Sequence, residues 1–165
     1  MSTIAHPSMR RNDKEVTNPK ELEAIIQSAW VCRLAFADQD TPYIVPMHFG
    51  MKGDTLFFHC ARQGRKLDLI KRNPTVCFEL EGDTRIINTG KPCDWSTSYA
   101  SVIGYGTASL VTDPRQKQEA LAVIVDHYAP GTTYEFERKK VDEVTVLKVQ
   151  VTSMTGKKSG PSAGI

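Results

Sequence analysis

No apolar run in these 165 residues approaches the roughly 20 that a membrane-crossing helix needs. The opening MSTIAHPSMRRNDKE also lacks the apolar centre of a secretory signal. A cytoplasmic protein with no membrane partner is the expectation. Charge of one sign is scarce as well: 21 Lys and Arg against 19 Asp and Glu leave a net +2. That is too little to attract nucleic acid as a whole-chain property, so any basic patch must be local. Cys32, Cys60, Cys77 and Cys93 include no C-x-x-C pair, and His6, His48, His59 and His127 include no i, i+4 pair. Zinc ribbons, redox dithiols and helical metal sites are thereby argued against. Internal repeats and low-complexity linkers are missing too, and nothing marks a second domain.

What is present reads as one mainly β domain. Residues 1–12 are polar and unpatterned and are expected to be a tail or arm, with order beginning near Thr17. A domain over 13–158 and a flexible tail over 159–165 follow. Thr17 or Asn18 caps a helix with Pro19 in its first turn and Leu22, Ile25, Ile26 and Ala29 on one face. The period then becomes strand-like over Trp30–Ala37, Tyr43–Gly50 and Thr55–Cys60, three strands whose order implies an antiparallel meander. Thr75–Leu80, with a possible continuation at Arg85–Asn88, then Ser96–Thr112 and Val144–Thr152 complete about six strands. Gly104 and Gly106 suggest a bulge or sharp coil, and Pro114 opens a helix carrying Ala120, Leu121, Ile124, Val125 and Tyr128. Antiparallel sheets of this length protect their edges by closing, so a small barrel with peripheral helices is expected. The C-terminal GKKSGPSAGI reads as mobile, with Lys157 and Lys158 available to an anion.

Two local features carry chemistry. The stretch TLFFHCARQGRKLDLIKRNPT runs from an apolar strand through a turn at Gly64 into a basic helix over Lys66–Arg72. A helix start exposes unpaired N–H groups, and Arg62, Arg65 and Lys66 add full positive charges there, a combination suited to a phosphate. A solvated basic helix is an equal reading of the same residues. Pro46, inside a strand, cannot donate to a ladder, which leaves backbone free for a flat ligand at an edge or bulge.

Four segments, MRRND, RLAFADQDTPYIVPMHFG, LFFHCARQGRKLDLIKRNPTVCF and SVIGYGTASLV, together resemble the FMN-binding split barrels related to pyridoxamine-phosphate oxidase. Within that group the chain is most similar to the nitroimidazole-resistance branch. The resemblance implies a six-stranded antiparallel split barrel, homodimeric, with FMN at the subunit interface touched by both chains. It implies that Tyr43, Ile44, Val45, Pro46 and Met47 line the flavin ring, that His59 and Cys60 follow the ribityl chain and phosphate, and that Arg65 and Lys66 hold the phosphate. Ser101 and Trp95 would come from the partner strand. Cys60 stands where that branch commonly has Ser or Thr, a weaker hydrogen-bond partner. The C-terminus lacks the arginine-containing motif of true pyridoxamine-phosphate oxidases, which argues against vitamin B6 oxidation.

The activity so implied is reduction of FMN by NADH or NADPH, then transfer to a small-molecule acceptor such as a nitroaromatic. With no G-x-G-x-x-G, a nicotinamide would bind only transiently against the flavin. No protein nucleophile is needed, and His48 and His59 are candidate proton donors, weighed against a plain packing role. A flavin- or haem-binding protein without turnover stays open, with His48, His59 or His127 as axial ligands.

Overall fold

The computed structural model describes residues 9–160, so most of the expected N-terminal arm and of the tail beyond 159 lies outside the described residues. Order sets in before Thr17. A 3-10 turn at Asn12–Lys14 leads into β1 (Glu15–Val16), which pairs with the last strand. Helix α1 (Pro19–Ser28) is capped by Asn18, whose side-chain oxygen accepts from the Lys20 N–H at 2.9 Å. Then follow β2 (Cys32–Asp38), β3 (Thr41–Met47), β4 (Phe49–Lys52), β5 (Thr55–Cys60), α2 (Arg65–Arg72), β6 (Thr75–Glu81), β7 (Arg85–Ile87), β8 (Ser96–Val111), α3 (Pro114–Tyr128), α4 (Arg138–Glu143) and β9 (Thr145–Ser159).

The sheet runs β3-β2-β6-β8-β9-β5-β4, with every pairing antiparallel. The expected three-strand meander is therefore wrong. The run Tyr43–Gly50 is broken at His48, and its halves lie at opposite ends of the strand order: β3 pairs with β2, β4 with β5. Since one residue joins those two ends, the sheet must curl until its edges meet. One kinked strand shared between both edges closes the barrel. The mainly β split-barrel expectation holds, and the strand count rises because one strand divides and two short ones are added. A register shift between Tyr105 and Gly106 puts the expected irregularity in place, with Thr152 of β9 as the extra residue.

Alternation along the strands fills the interior with Leu34, Phe36, Phe49, Leu56, Phe58, Val76, Phe78, Leu80, Val102, Leu147 and Val149. Phe49, Phe58 and Phe78 are fully buried, each contributing roughly 2–3 kcal/mol by removal from water. Ile25 and Ile26 of α1 and Leu67, Leu69 and Ile70 of α2 join the same core. Helix α3 covers the outside of β4, β5 and β9, where Ala120 meets Val111 and Val146 with Phe57 and Leu121 beside them. β9 outruns its expected end at Thr152 because β1 and β8 flank Gly156–Ser159 with backbone partners. Lys158 is thereby drawn to Glu21 and Lys157 to the Tyr99 ring, 5.8 Å away, rather than left on a mobile tail. No described helix is long and apolar enough to cross a membrane.

Candidate functional site

β5 delivers the chain to one end of the barrel, where residues 61–64 turn it into α2. Gly64 makes that turn at φ 142°, a backbone conformation that suits glycine and strains any side chain. The Leu67 N–H bonds back to the Gly64 carbonyl at 2.9 Å, and no side chain caps the helix. The Arg65 and Lys66 N–H groups have no intrahelical acceptor, so the positive end of the helix dipole is open. No ion pair of Arg62 or Lys66 occurs among the described residues, which leaves two cations beside those donors.

Arg65 stands differently from the expectation of a free phosphate ligand. Its Nη2 donates to Asp38 Oδ2 at 3.0 Å, and its guanidinium carbon sits 4.6 Å over the Tyr43 ring. Asp38 also lies 3.1 Å from Arg72 through its other oxygen. The sequence reading ended its strand at Ala37, one residue short of Asp38, and missed both contacts. The signal available was an acidic turn residue preceding a basic helix.

β3 is an edge strand held only by β2. Pro42 and Pro46 cannot donate to that ladder, so their backbone must face away from β2, and Ile44 shares their parity. The Ile44 N–H and the Pro42 and Pro46 carbonyls are thus turned to the free edge. Side chains divide the same way. Tyr43 and Val45 are half-buried against the core and Met47 is buried, whereas Ile44 and Pro46 face out, Ile44 with 59% of its surface exposed. The five residues expected to line a ring do not present five side chains to one face.

His59 and Cys60 diverge for the same reason: Cys60 packs towards the core and His59 points out. Burial pushes the Cys60 thiol up, partly opposed by Lys66. His48 lies in the break between β3 and β4, with its ring 5.1 Å from that of Tyr128. The Tyr128 hydroxyl accepts from the Phe49 N–H and donates to the Trp30 carbonyl, both at 3.0 Å, tying the end of α3 to the barrel break. His127 Nε2 donates to the Ala29 carbonyl at 2.8 Å, and its Nδ1 is buried without a partner, so neither nitrogen is open to a ligand. Partial burial, followed by His48, lowers the pKa of His59. Trp95 is half-exposed just before β8, and Ser101 faces Glu81 and Lys157. Glu81 ends β6, six residues from Thr75, so Ser101 lies roughly 20 Å from the end of the sheet where Asp38 holds Arg65. Within one protomer these two residues do not join Arg65 and Lys66. A cleft of about 560 Å³ lined by Gln27, Met51, His127, Tyr134 and Phe136 lies on the α3 side instead.

Residues 18–158 match the family model described as pyridoxamine 5'-phosphate oxidase. Among solved structures the chain is similar to a candidate 5-nitroimidazole antibiotic resistance protein from Bacteroides thetaiotaomicron, with 30% identity and TM-score 0.77 over 87% of this chain and 86% of that one. A flavocytochrome from Azotobacter vinelandii has 19% identity and TM-score 0.78 over 95% of this chain and 75% of its own. A FAD- and heme-binding protein from Mycobacterium smegmatis has 18% identity and TM-score 0.77 over 90% and 74%. No match occurs among curated protein sequences.

Proposed function

The chain belongs to the pyridoxamine 5'-phosphate oxidase family, and on that premise we propose that it binds FMN and passes electrons from NADH or NADPH to a small acceptor such as a nitroaromatic ring. The observation that carries this reading is the start of α2 at Gly64, without a side-chain cap, with Arg62 and Lys66 in no ion pair among the described residues and Arg65 held beside it. Two free backbone N–H groups and three cations fit a phosphate dianion. The free edge of β3 fits the polar rim of a flat heterocycle: the Ile44 N–H can donate, and the Pro42 and Pro46 carbonyls can accept. Ile44 and Pro46 supply apolar contact on the outer side.

When bound, the isoalloxazine supplies the redox chemistry, and the protein's part is binding, orientation and exclusion of water. His48 and His59 are neighbours on the outer surface, and the lowered His59 pKa favours its neutral form near neutrality. In that form it can accept or relay a proton rather than carry charge. The likeness to a candidate nitroimidazole resistance protein supports the acceptor class. A homodimer completes the site in this reading, since Trp95 and Ser101 reach the α2 turn only from a second copy.

Changing Arg65 and Lys66 together to Ala is expected to lower FMN occupancy at least tenfold while leaving the melting transition nearly unchanged, because both lie at the surface end of α2. Absorbance of the purified variant and wild type measures this. Wild type with an intense Soret band and no flavin bands would sink the FMN assignment in favour of haem. Anaerobic addition of NADH or NADPH should bleach the flavin, and a spectrum that stays unbleached with both donors would reduce the protein to a passive binder.

A further inference from the structure

We propose that Asp38 is a positioning residue for the phosphate site and that Arg72 sets the site's charge by acting on Asp38. This rests on assigning the start of α2 to a flavin phosphate. Asp38 ends β2 with its side chain 20% exposed and divides its two oxygens between the two ends of one helix. Oδ2 accepts from Arg65 in the first turn, and Oδ1 lies 3.1 Å from the guanidinium of Arg72 in the last. Seven residues separate these arginines, two helical turns, so both fall on the face that meets the β2–β3 turn.

A guanidinium carries five N–H donors in a rigid fork. Held along one edge by Asp38 and from below by Tyr43, Arg65 keeps donors for an anion on its remaining edge, with its side-chain freedom already spent. Charge balance makes the third partner matter. One carboxylate with two guanidinium groups leaves the cluster at +1, whereas Asp38 with Arg65 alone is neutral. Arg72 lies about 10 Å along the helix from the open N–H groups, so it affects the phosphate through Asp38 rather than by touching it.

The test is a two-residue cycle on the full chain, with FMN and riboflavin affinities read from quenching of flavin fluorescence. Arg72→Ala is expected to weaken FMN about three- to fivefold, the range of a partly screened ion pair, and to leave riboflavin unchanged. In an Asp38→Asn background the same change should cost less than twofold, since Arg72 is then no longer anchored to the β2–β3 turn and its charge is screened by solvent, while Asp38→Glu should keep the wild-type response. Arg72→Gln, which keeps the apolar stem, repeats the measurement if Arg72→Ala melts poorly. An equal loss in both backgrounds, or no loss in either, overturns the proposal while leaving the phosphate site standing. Wild type that holds FMN no tighter than riboflavin would remove the phosphate site itself, and this inference with it.

Discussion

A histidine kept below its ordinary titration range makes a fold sensitive to acid, and His59 is such a residue. Partial burial lowers its pKa first and His48 adds to the effect. Below about pH 6.5 the unfolded chain takes up a proton on this residue that the folded chain resists. Its contribution to stability is therefore intact above that pH and is lost as pH falls through the lower folded value. The melting temperature of wild type is expected to drop more steeply between pH 6.5 and 5 than that of His59→Asn, with His48→Asn falling between the two. Calorimetry across that interval measures the slopes, and parallel slopes would place the acid sensitivity in other groups. His59 bears on the flavin reading too, because a proton shuttle needs an imidazole that is neutral at working pH.

At the scale of elements, the placement of α3 depends on one small residue. A Cβ on Gly50 would fall 2.4 Å from the Val123 carbonyl oxygen and 2.8 Å from the Ile124 Cα, both backbone atoms that cannot turn aside. Gly50→Ala should cost roughly 1–3 kcal/mol by lifting α3 from β4 and loosening the Tyr128 bond to Phe49, read as a lower denaturant midpoint with increased exchange at the Phe49 amide. Elements governed by neighbours in sequence were legible from the chain alone. Asn18 with Pro19, Pro114 at the start of α3, and Pro46 as an edge residue act through local backbone chemistry. Pairing partners were not legible, because period-2 alternation says which face a residue takes and not which strand lies beside it. That is why Tyr43–Gly50 read as one strand when His48 splits it, and why β9 ran past Thr152. Helix α4 escaped notice because RKKVDE offers a single apolar residue, Val141, to mark a buried face. The α2 turn was legible as a cluster of cations, but the carboxylate that holds Arg65 comes from 27 residues away, a separation that no local pattern spans.

Among the described residues, one wall of the barrel has no helix laid over it. α3 shelters the outside of β4, β5 and β9, whereas the outward positions of β3, β2, β6 and β8 stand open. Register places Ile44, Ala35, Cys77 and Tyr105 in one row, and Pro46, Arg33, Glu79 and Ile103 in the next. Ile44 and Ile103 are 59% and 44% exposed, and the second row is crossed by the Arg33–Glu79 pair at 2.9 Å. Exposed isoleucines on an uncovered sheet face suit association with another surface, and the flavin reading requires a second copy to bring Trp95 and Ser101 to the α2 turn. In that reading the two requirements would fall on one surface, which would couple assembly to cofactor. Ile103→Glu puts a charge on the β8 side of the wall without touching the α2 turn. It is expected to shift the protein from dimer to monomer in sedimentation, to lower FMN affinity at least tenfold, and to leave the melting transition of the protomer within a few degrees. A variant that becomes monomeric yet keeps full FMN affinity would mean that one chain suffices to hold the cofactor. Wild type that sediments as a monomer would mean that the open wall serves something other than a second copy.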